Sequence, residues 1–457
     1  MSQVPEPLSK IELIIEGVVA RIRQGSLQVG ERLRSIREEA MLMGVAKNTV
    51  AEAYLRLVAQ GVISARPGAG YYVSRAMPRP AAPIPLAVPN AARRADLLNE
   101  QLDKRLPIRP GDGRLPADWL ELSELRRRIA VPRVNAAESY NSAWGYLPLR
   151  ERICAALAER GIQCHTGQLL TTYGGNHALD LIIRCYVQRG DAVLVDDPGY
   201  YPLIWKLSVA GARIIGVRRL HEGPDLADLQ QKAASSGAKV FFTQPLAHNP
   251  MGGSITPAVA YGVLKTAEAL DLLVVEDDPF ADILPYSAPR LAALDQLQRV
   301  IYVGSFSKTL AGSFRVGYIA ANPQRAQVLN EMKVITIIST SAQNERLVCS
   351  LIDSAHYLKY LRRLRERIST ASVATVQGLE AAGFSVPRPL GGGYYVWIEQ
   401  TEAMQRKDLA ADAAQQGIFI APSEAFTTSS STPAGMRVNV AYGADPQFLR
   451  WLAAVRD

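Results

Sequence analysis

A chain of 457 residues is too long for one hydrophobic core and predicts two or three domains. Its 48% apolar and 21% charged residues exclude a disordered or fibrous chain. The net charge of +8 is uneven: residues 1–75 carry ten Lys/Arg against seven Asp/Glu, and residues 76–105 five against three, so the N-terminal quarter favours an anionic partner.

In chain order, residues 8–24 place Ile11, Ile14, Ile15, Val18, Val19 and Ile22 at helical spacing. After the turn GSLQVGERL, the stretch SIREEAMLMG reads as a second helix with Ser35 as N-cap and Gly44 as stop. A third helix within VAKNTVAEAYLRLVAQG turns Val50, Ala53, Tyr54, Leu57 and Val58 inward. VISARPGAGYYV then alternates about a glycine turn, as a β-hairpin does. The order predicts a winged helix-turn-helix over residues 1–75. Lys47, Asn48 and Thr49 open the third helix, the end that meets base edges and phosphates in a major groove. Arg34, Ser35 and Arg37 stand near the start of the second helix, where phosphate is reached. Arg66 lies in the wing, and Gly68 and Gly70 permit close backbone approach to DNA.

The segment LRSIREEAMLMGVAKNTVAEAYLRLVAQGVISARPGAGYYV resembles the GntR-type winged helix. That family's pattern is a Leu-Pro-Ser-x-Arg turn, a Ser-Arg-x-Thr-Val recognition helix and an Arg-x-Gly-x-Gly wing. Arg34 stands in the proline position and Lys47 in the arginine position. The resemblance implies promoter DNA as a partner.

Residues 77–90, MPRPAAPIPLAVPN, carry five prolines and predict an extended linker, taken to span 76–105. Over 106–457, AVLVDD, RIIGV, KVFFTQ, LLVVED and VIYVGS are short apolar runs separated by helix-length segments. That pattern predicts an α/β fold with a largely parallel sheet. From YLKYLRRLRERI onward, GGGYYVWIE, IFIAP and MRVNVAY predict a smaller α/β subdomain. Arg362, Arg363, Arg365 and Arg367 read as a solvated helix face. Four cysteines without a CxxC pair and five scattered histidines give neither a disulfide framework nor a metal pattern. The absence of a signal-peptide pattern and of long apolar runs predicts a cytoplasmic protein without a membrane segment.

The loop GSFSKTLAGSFRVGY holds Lys308, and TYGGNHALDL sets Gly174, Gly175 and Asn176 at a helix start, where free N–H groups bind phosphate. Together with VVEDDPF, HNPMGG and DDPGYYP, these segments make the 106–457 region resemble fold-type I aminotransferases. The resemblance implies pyridoxal 5′-phosphate held as an imine on Lys308. Ser305 and Arg315 match the family's phosphate ligands, and Ser307, beside the lysine, is counted among the cofactor residues. Asp277 matches the aspartate that keeps the ring nitrogen protonated, Asn249 the donor to the phenolic oxygen, and Tyr200 the residue stacked on the ring. Phe280 occupies the place of a family tyrosine and cannot donate. Arg437, in GMRVNVAY, matches the arginine that grips a substrate carboxylate. His177 and His248 read as supporting contacts.

A GntR-type winged helix joined by a linker to an aminotransferase-like body is the architecture of the MocR/GabR family of transcriptional regulators. The resemblance implies a homodimer, head-to-tail, whose large domain senses an amino-compound effector carrying an acid group. Two further readings stay open: a sensor of pyridoxal phosphate itself, controlling vitamin B6 genes, and a working aminotransferase, against which Phe280 counts.

Overall fold

The computed structural model describes residues 9–23, 26–74, 91–127, 142–285, 287–388, 391–405, 408–428 and 433–456. The chain divides into two compact units, Met1–Ala87 and Val88–Asp457.

In the first unit, α1 (Lys10–Arg23), α2 (Ile36–Met43) and α3 (Lys47–Ala59) precede a hairpin. Its strands β1 (Ile63–Arg66) and β2 (Gly70–Val73) pair antiparallel, Ile63 opposite Val73 and Arg66 opposite Gly70. Ile14, Val18, Val50, Ala53, Tyr54 and Leu57 are buried together, and Ile11, Ile15, Val19 and Val58 pack partly buried against them. The second helix starts where its sequence says. Ser35 Oγ accepts from Glu38 N at 3.3 Å and the Glu38 carboxylate accepts from Ser35 N at 2.8 Å, a reciprocal cap of about 1 kcal/mol. Gly44 ends the helix at φ 61°.

In the second unit, the expected linker falls partly on residues 75–90, outside the described residues. Its later part is helical: α4 (Ala91–Asp103). Two side chains tie the last turn of α4 to the body of the unit. Glu100 accepts from Arg109 Nη1 at 3.0 Å, and buried Gln101 donates to the Tyr201 hydroxyl at 2.6 Å.

The central sheet comprises β3 (Leu169–Thr172), β4 (Ala192–Asp197), β5 (Arg213–Leu220), β6 (Gly223–Pro224), β7 (Val240–Thr243), β8 (Leu273–Asp278), β9 (Val300–Ser305) and β10 (Gly317–Ala320). Their spatial order is β3-β10-β9-β8-β7-β4-β5-β6. The contiguous strands β5, β4, β7, β8 and β9 pair in parallel, while β10 and β6 pair antiparallel with their neighbours. Successive strand residues enter opposite cores, Val274 and Val300 in one and Val275 and Ile301 in the other. Burial on both faces explains the unbroken apolar runs in the sequence.

The smaller subdomain carries β11 (Tyr395–Glu399), β12 (Ala421–Pro422) and β13 (Gly435–Asn439) in the antiparallel order β11-β13-β12. The long helix Ala355–Ala381 leads into it. Three arginines of its basic run are not simply solvated, which corrects the sequence reading. Arg365 donates to the Ile283 and Asp282 carbonyls at 2.9 and 2.7 Å, and Arg363 and Arg367 pair with Glu121 at 2.5 and 2.8 Å. These contacts fasten the helix to the body.

Candidate functional site

At the carboxyl ends of β7, β8 and β9 lies a cavity of about 660 Å³, the end of a parallel sheet where ligands bind. The structure brings Gly175, Asn176, Tyr200, Asn249, Asp277, Phe280, Ser305, Ser307, Lys308 and Arg315 to its wall. Gly174 stands just behind, where a Cβ would meet the Arg315 guanidinium at 3.1 Å. Arg437 is not on the wall; it is buried behind Asn249.

The anion-binding side is built from backbone. The helix Gly175–Tyr186 begins at the cavity, with Gly174 at φ 77° as its N-cap, a conformation glycine adopts freely. A Cβ on Gly317 would lie 2.7 to 2.9 Å from Gly174 and Gly175 backbone atoms, so the strand position behind the helix start must also be glycine. Arg315, at φ 50°, donates through Nη2 to the Tyr173 carbonyl at 2.7 Å. A helix start beside a cation is an arrangement that can take an anionic group. His177 Nδ1 accepts from Tyr173 N at 3.1 Å, a supporting contact. Burial holds the pKa of this ring down at about 4.

Asp277 lies in β8 and is buried; the Gln244 amide donates to it at 2.6 Å. Burial pushes its pKa up to about 7, which marks a carboxylate with too few donors for full ionisation. A protonated base set against it could supply the missing partner. Gln244 Oε1 also accepts from Asn249 N at 3.2 Å. Arg437 Nη1 donates to Asn249 Oδ1 at 3.0 Å; since guanidinium only donates, the oxygen is fixed toward Arg437 and the Asn249 NH₂ is left for other acceptors.

Lys308 follows β9. Its Nζ donates to the Gly113 carbonyl and stands 3.2 Å from the Tyr395 hydroxyl, which itself donates to Gly113 O at 2.9 Å. Phe280 brings no hydroxyl; its ring packs edge-on against Tyr394 at 4.8 Å. The Arg437 guanidinium lies 4.8 Å from the Tyr395 ring centre and donates to Gly111 O at 2.6 Å. Its Nε is buried and has no hydrogen-bond partner among the described residues.

In the first unit, Lys47 and Asn48 are exposed and Thr49 partly so, at the start of α3. Arg37 is exposed, and Arg34 is 46% exposed with Glu39 at 3.5 Å. The Ser35 hydroxyl serves as the cap of α2. Arg66 is exposed, 4.3 Å over the Tyr72 ring, with Gly68 and Gly70 at φ 72° and 104° in the wing turn.

Sequence reasoning missed Tyr395, Gln244, Arg114 and Arg32. Arg114 reaches the cavity wall, and exposed Arg32 sets its guanidinium against the wing at Gly70. The second tyrosine of GGGYYVWIE was the one available signal. Among the described residues, no helix is long and apolar enough to cross a membrane and no group of acidic, His or Cys residues could hold a metal ion.

The family profile for aminotransferase class I and II matches residues 133–455, and that for bacterial regulatory proteins of the gntR family matches residues 10–73. Over 454 residues the chain is 28% identical to the HTH-type transcriptional regulator YdcR of Escherichia coli, covering 95% of this chain and 96% of the relative. It is 28% identical over 375 residues to a probable rhizopine catabolism regulatory protein, MocR, of Rhizobium meliloti, covering 77% and 73%. The Pyrococcus horikoshii kynurenine aminotransferase, solved with PMP, superposes with a TM-score of 0.69 at 27% identity, covering 80% of this chain and 94% of that one.

Proposed function

The chain belongs to the aminotransferase class I and II family and carries a gntR-family helix-turn-helix before that domain, the build of MocR/GabR-type transcriptional regulators, and from that membership we propose that it regulates promoters by sensing an amine that bears an acid group. The observation that carries the reading is one cavity wall holding the Lys308 amine, the buried Asp277 carboxylate and the anion-binding helix start with Arg315.

Those residues fit pyridoxal 5′-phosphate. When bound, the cofactor supplies an aldehyde that condenses reversibly with primary amines and a ring that withdraws electrons. Lys308 Nζ is the amine offered to it. The N–H groups of Gly175 and Asn176, with Ser305, Ser307 and Arg315, hold the phosphate. Asp277 would keep a proton on the ring nitrogen, Asn249 Nδ2 would donate to the phenolic oxygen, and Tyr200 would pack against the ring. Arg437 would take the acid group of an incoming amine. Lys308 Nζ, when the cofactor does not hold it, has the Gly113 carbonyl and the Tyr395 hydroxyl as acceptors, so its contacts would differ between the two states. The difference in contacts between the two states is what a regulator can transmit. Lys47, Asn48, Thr49 and Arg66 read and hold duplex DNA, two such units meeting it in a homodimer.

Purified protein loaded with pyridoxal phosphate, titrated with amines and followed by visible absorbance with and without promoter DNA, tests the reading. An amine that shifts both the spectrum and the DNA complex is expected. A Lys308→Ala variant that answers the same amine in DNA binding as the wild type does would overturn it.

A further inference from the structure

Once the cofactor's requirements are assigned, one charged group on the cavity wall has no task. The wall carries three cationic side chains, Arg114, Lys308 and Arg315, against a single carboxylate, Asp277. In the reading above, Arg315 serves the phosphate, Lys308 the aldehyde and Asp277 the ring nitrogen. Arg114 remains.

Its setting is specific. The backbone around it is fixed: Arg114 N donates to Asp112 Oδ1 at 3.0 Å, and Asn439 Nδ2 donates to Arg114 O at 2.8 Å. The guanidinium touches Asp112 only through Nε, at 3.4 Å. Asp112 is itself engaged more closely by Arg109 Nε at 2.9 Å, so it leaves Arg114 incompletely neutralised. Arg114 Nη2 is buried and has no hydrogen-bond partner among the described residues. Arg437 Nε is in the same condition. Arg114, on the wall and 39% exposed as a side chain, and Arg437, buried behind Asn249, thus each hold one buried N–H without a partner among the described residues. Such a donor is costly unless a ligand meets it, and an anionic oxygen meets it best.

We infer that Arg114 is a second acid-binding residue of the effector site, and that the effector is an amino diacid: one acid group on Arg437, the other on Arg114, the amine directed to Lys308. This rests on the sensing function proposed above and narrows its ligand class. Carboxylate, sulfonate or phosphonate would satisfy Arg114 alike.

Glutamate and 2-aminoadipate, each compared with its neutral amide or chain-matched monoacid (glutamine, norleucine), supply the probes. Apparent affinities are read from the visible spectrum of cofactor-loaded wild type, Arg114→Gln and Arg114→Lys. The diacid of fitting length is expected to bind about 10- to 100-fold more tightly than its monoacid counterpart, the range of one to two charge-assisted hydrogen bonds. Arg114→Gln is expected to abolish that preference and Arg114→Lys to keep part of it. A second readout bypasses the amine: in cofactor-free protein, glutarate is expected to raise the melting temperature more than butyrate, and equally little in Arg114→Gln. Monoacids that match diacids in the wild type, or a preference that survives Arg114→Gln, would overturn the inference and leave amine sensing intact. Loaded protein that answers no amine at all would overturn amine sensing, and the glutarate comparison then decides the role of Arg114 by itself.

Discussion

Asp277→Asn separates what the carboxylate does for the cofactor from what it does to the fold. The side chain is 6% exposed, its donor is Gln244 at 2.6 Å, and burial raises its pKa from 3.8 to about 7. Gln244 opposes that rise, Asp278 adds to it, and Lys308 lowers it slightly. A folded value above the unfolded one means that the unfolded chain releases the proton first. Stability is therefore lost as pH climbs from about 4 to about 7 and the loss is constant above that. The gap between 3.8 and about 7 corresponds to ~4 kcal/mol. Asparagine has the same shape, can keep the Gln244 bond and does not ionise. Cofactor-free Asp277→Asn should then outlast the wild type at pH 8, with a melting temperature about 5 °C higher for a unit of this size. By pH 5 the advantage should shrink to under half. Pyridoxal phosphate should reverse the sign on the proposed function, because a protonated ring nitrogen would reward the carboxylate and not the amide. Its binding should weaken about 100-fold in the variant, and it should raise the wild-type melting temperature by more. Calorimetry at pH 5 and 8, with and without cofactor, measures all of this. A cofactor-free variant that melts below the wild type at pH 8, or equal cofactor shifts in both proteins, would refute the assignment.

Three further outcomes are expected. Gly317→Ala forces a Cβ to within 2.9 Å of the Gly174–Gly175 backbone and should weaken cofactor binding about 10-fold or more; unchanged affinity by absorbance titration would remove the helix start from the phosphate site. Lys47→Ala should flatten the plot of log binding constant against log salt by about one unit across DNA sequences; an unchanged slope in fluorescence anisotropy would exclude a phosphate contact. Tyr395→Phe removes an acceptor 3.2 Å from Lys308 Nζ and should weaken effector amines about 5- to 10-fold with little change in cofactor affinity; equal loss in both titrations would make the hydroxyl a general structural element.

The winged helix was legible because its signals are local. Ser35 and Glu38 cap α2 within one turn, Gly44 ends it, and the inward residues of α3 recur at helical spacing. The parallel sheet was legible because strands buried on both faces must be apolar throughout. Partners far apart in the chain were not. Arg365 looked like surface charge, yet its acceptor Ile283 O lies 82 residues away, and Glu121 lies 242 residues from Arg363. Gln244 carried no signal, since it joins the backbone of Asn249, five residues on, to Asp277, 33 residues away. Ser35 was read as a DNA contact as well as a cap; its hydroxyl oxygen accepts from Glu38 N, which leaves its O–H free to donate. Arg437 was read as the group that grips an acid; that its guanidinium donates to Asn249 Oδ1 and Gly111 O, 188 and 326 residues away, was not legible.

The exchange of a tyrosine for Phe280 gains its meaning from the strand opposite. Phe280 belongs to the large domain, just after β8, and its ring fills the space against Tyr394 and Tyr395. The hydroxyl that stands beside Lys308 instead comes from Tyr395, on β11 of the smaller subdomain. The same three-stranded sheet carries Arg437, with Tyr395 paired to Asn439 and Trp397 paired to Arg437 in the β11–β13 register. Asn439 in turn donates to the carbonyls of Asp112 and Arg114. Asp277, Ser305 and Lys308 thus sit on the large sheet and its loops, while Arg437 and the Tyr395 hydroxyl beside Lys308 belong to the small one. On the proposed function, a ligand that draws on Arg437 would act on the same sheet that contacts Lys308, which would couple the acid site to the state of the amine. A hydroxyl fixed to the large domain would lack that link, and a sensor requires contacts that differ between its free and bound states.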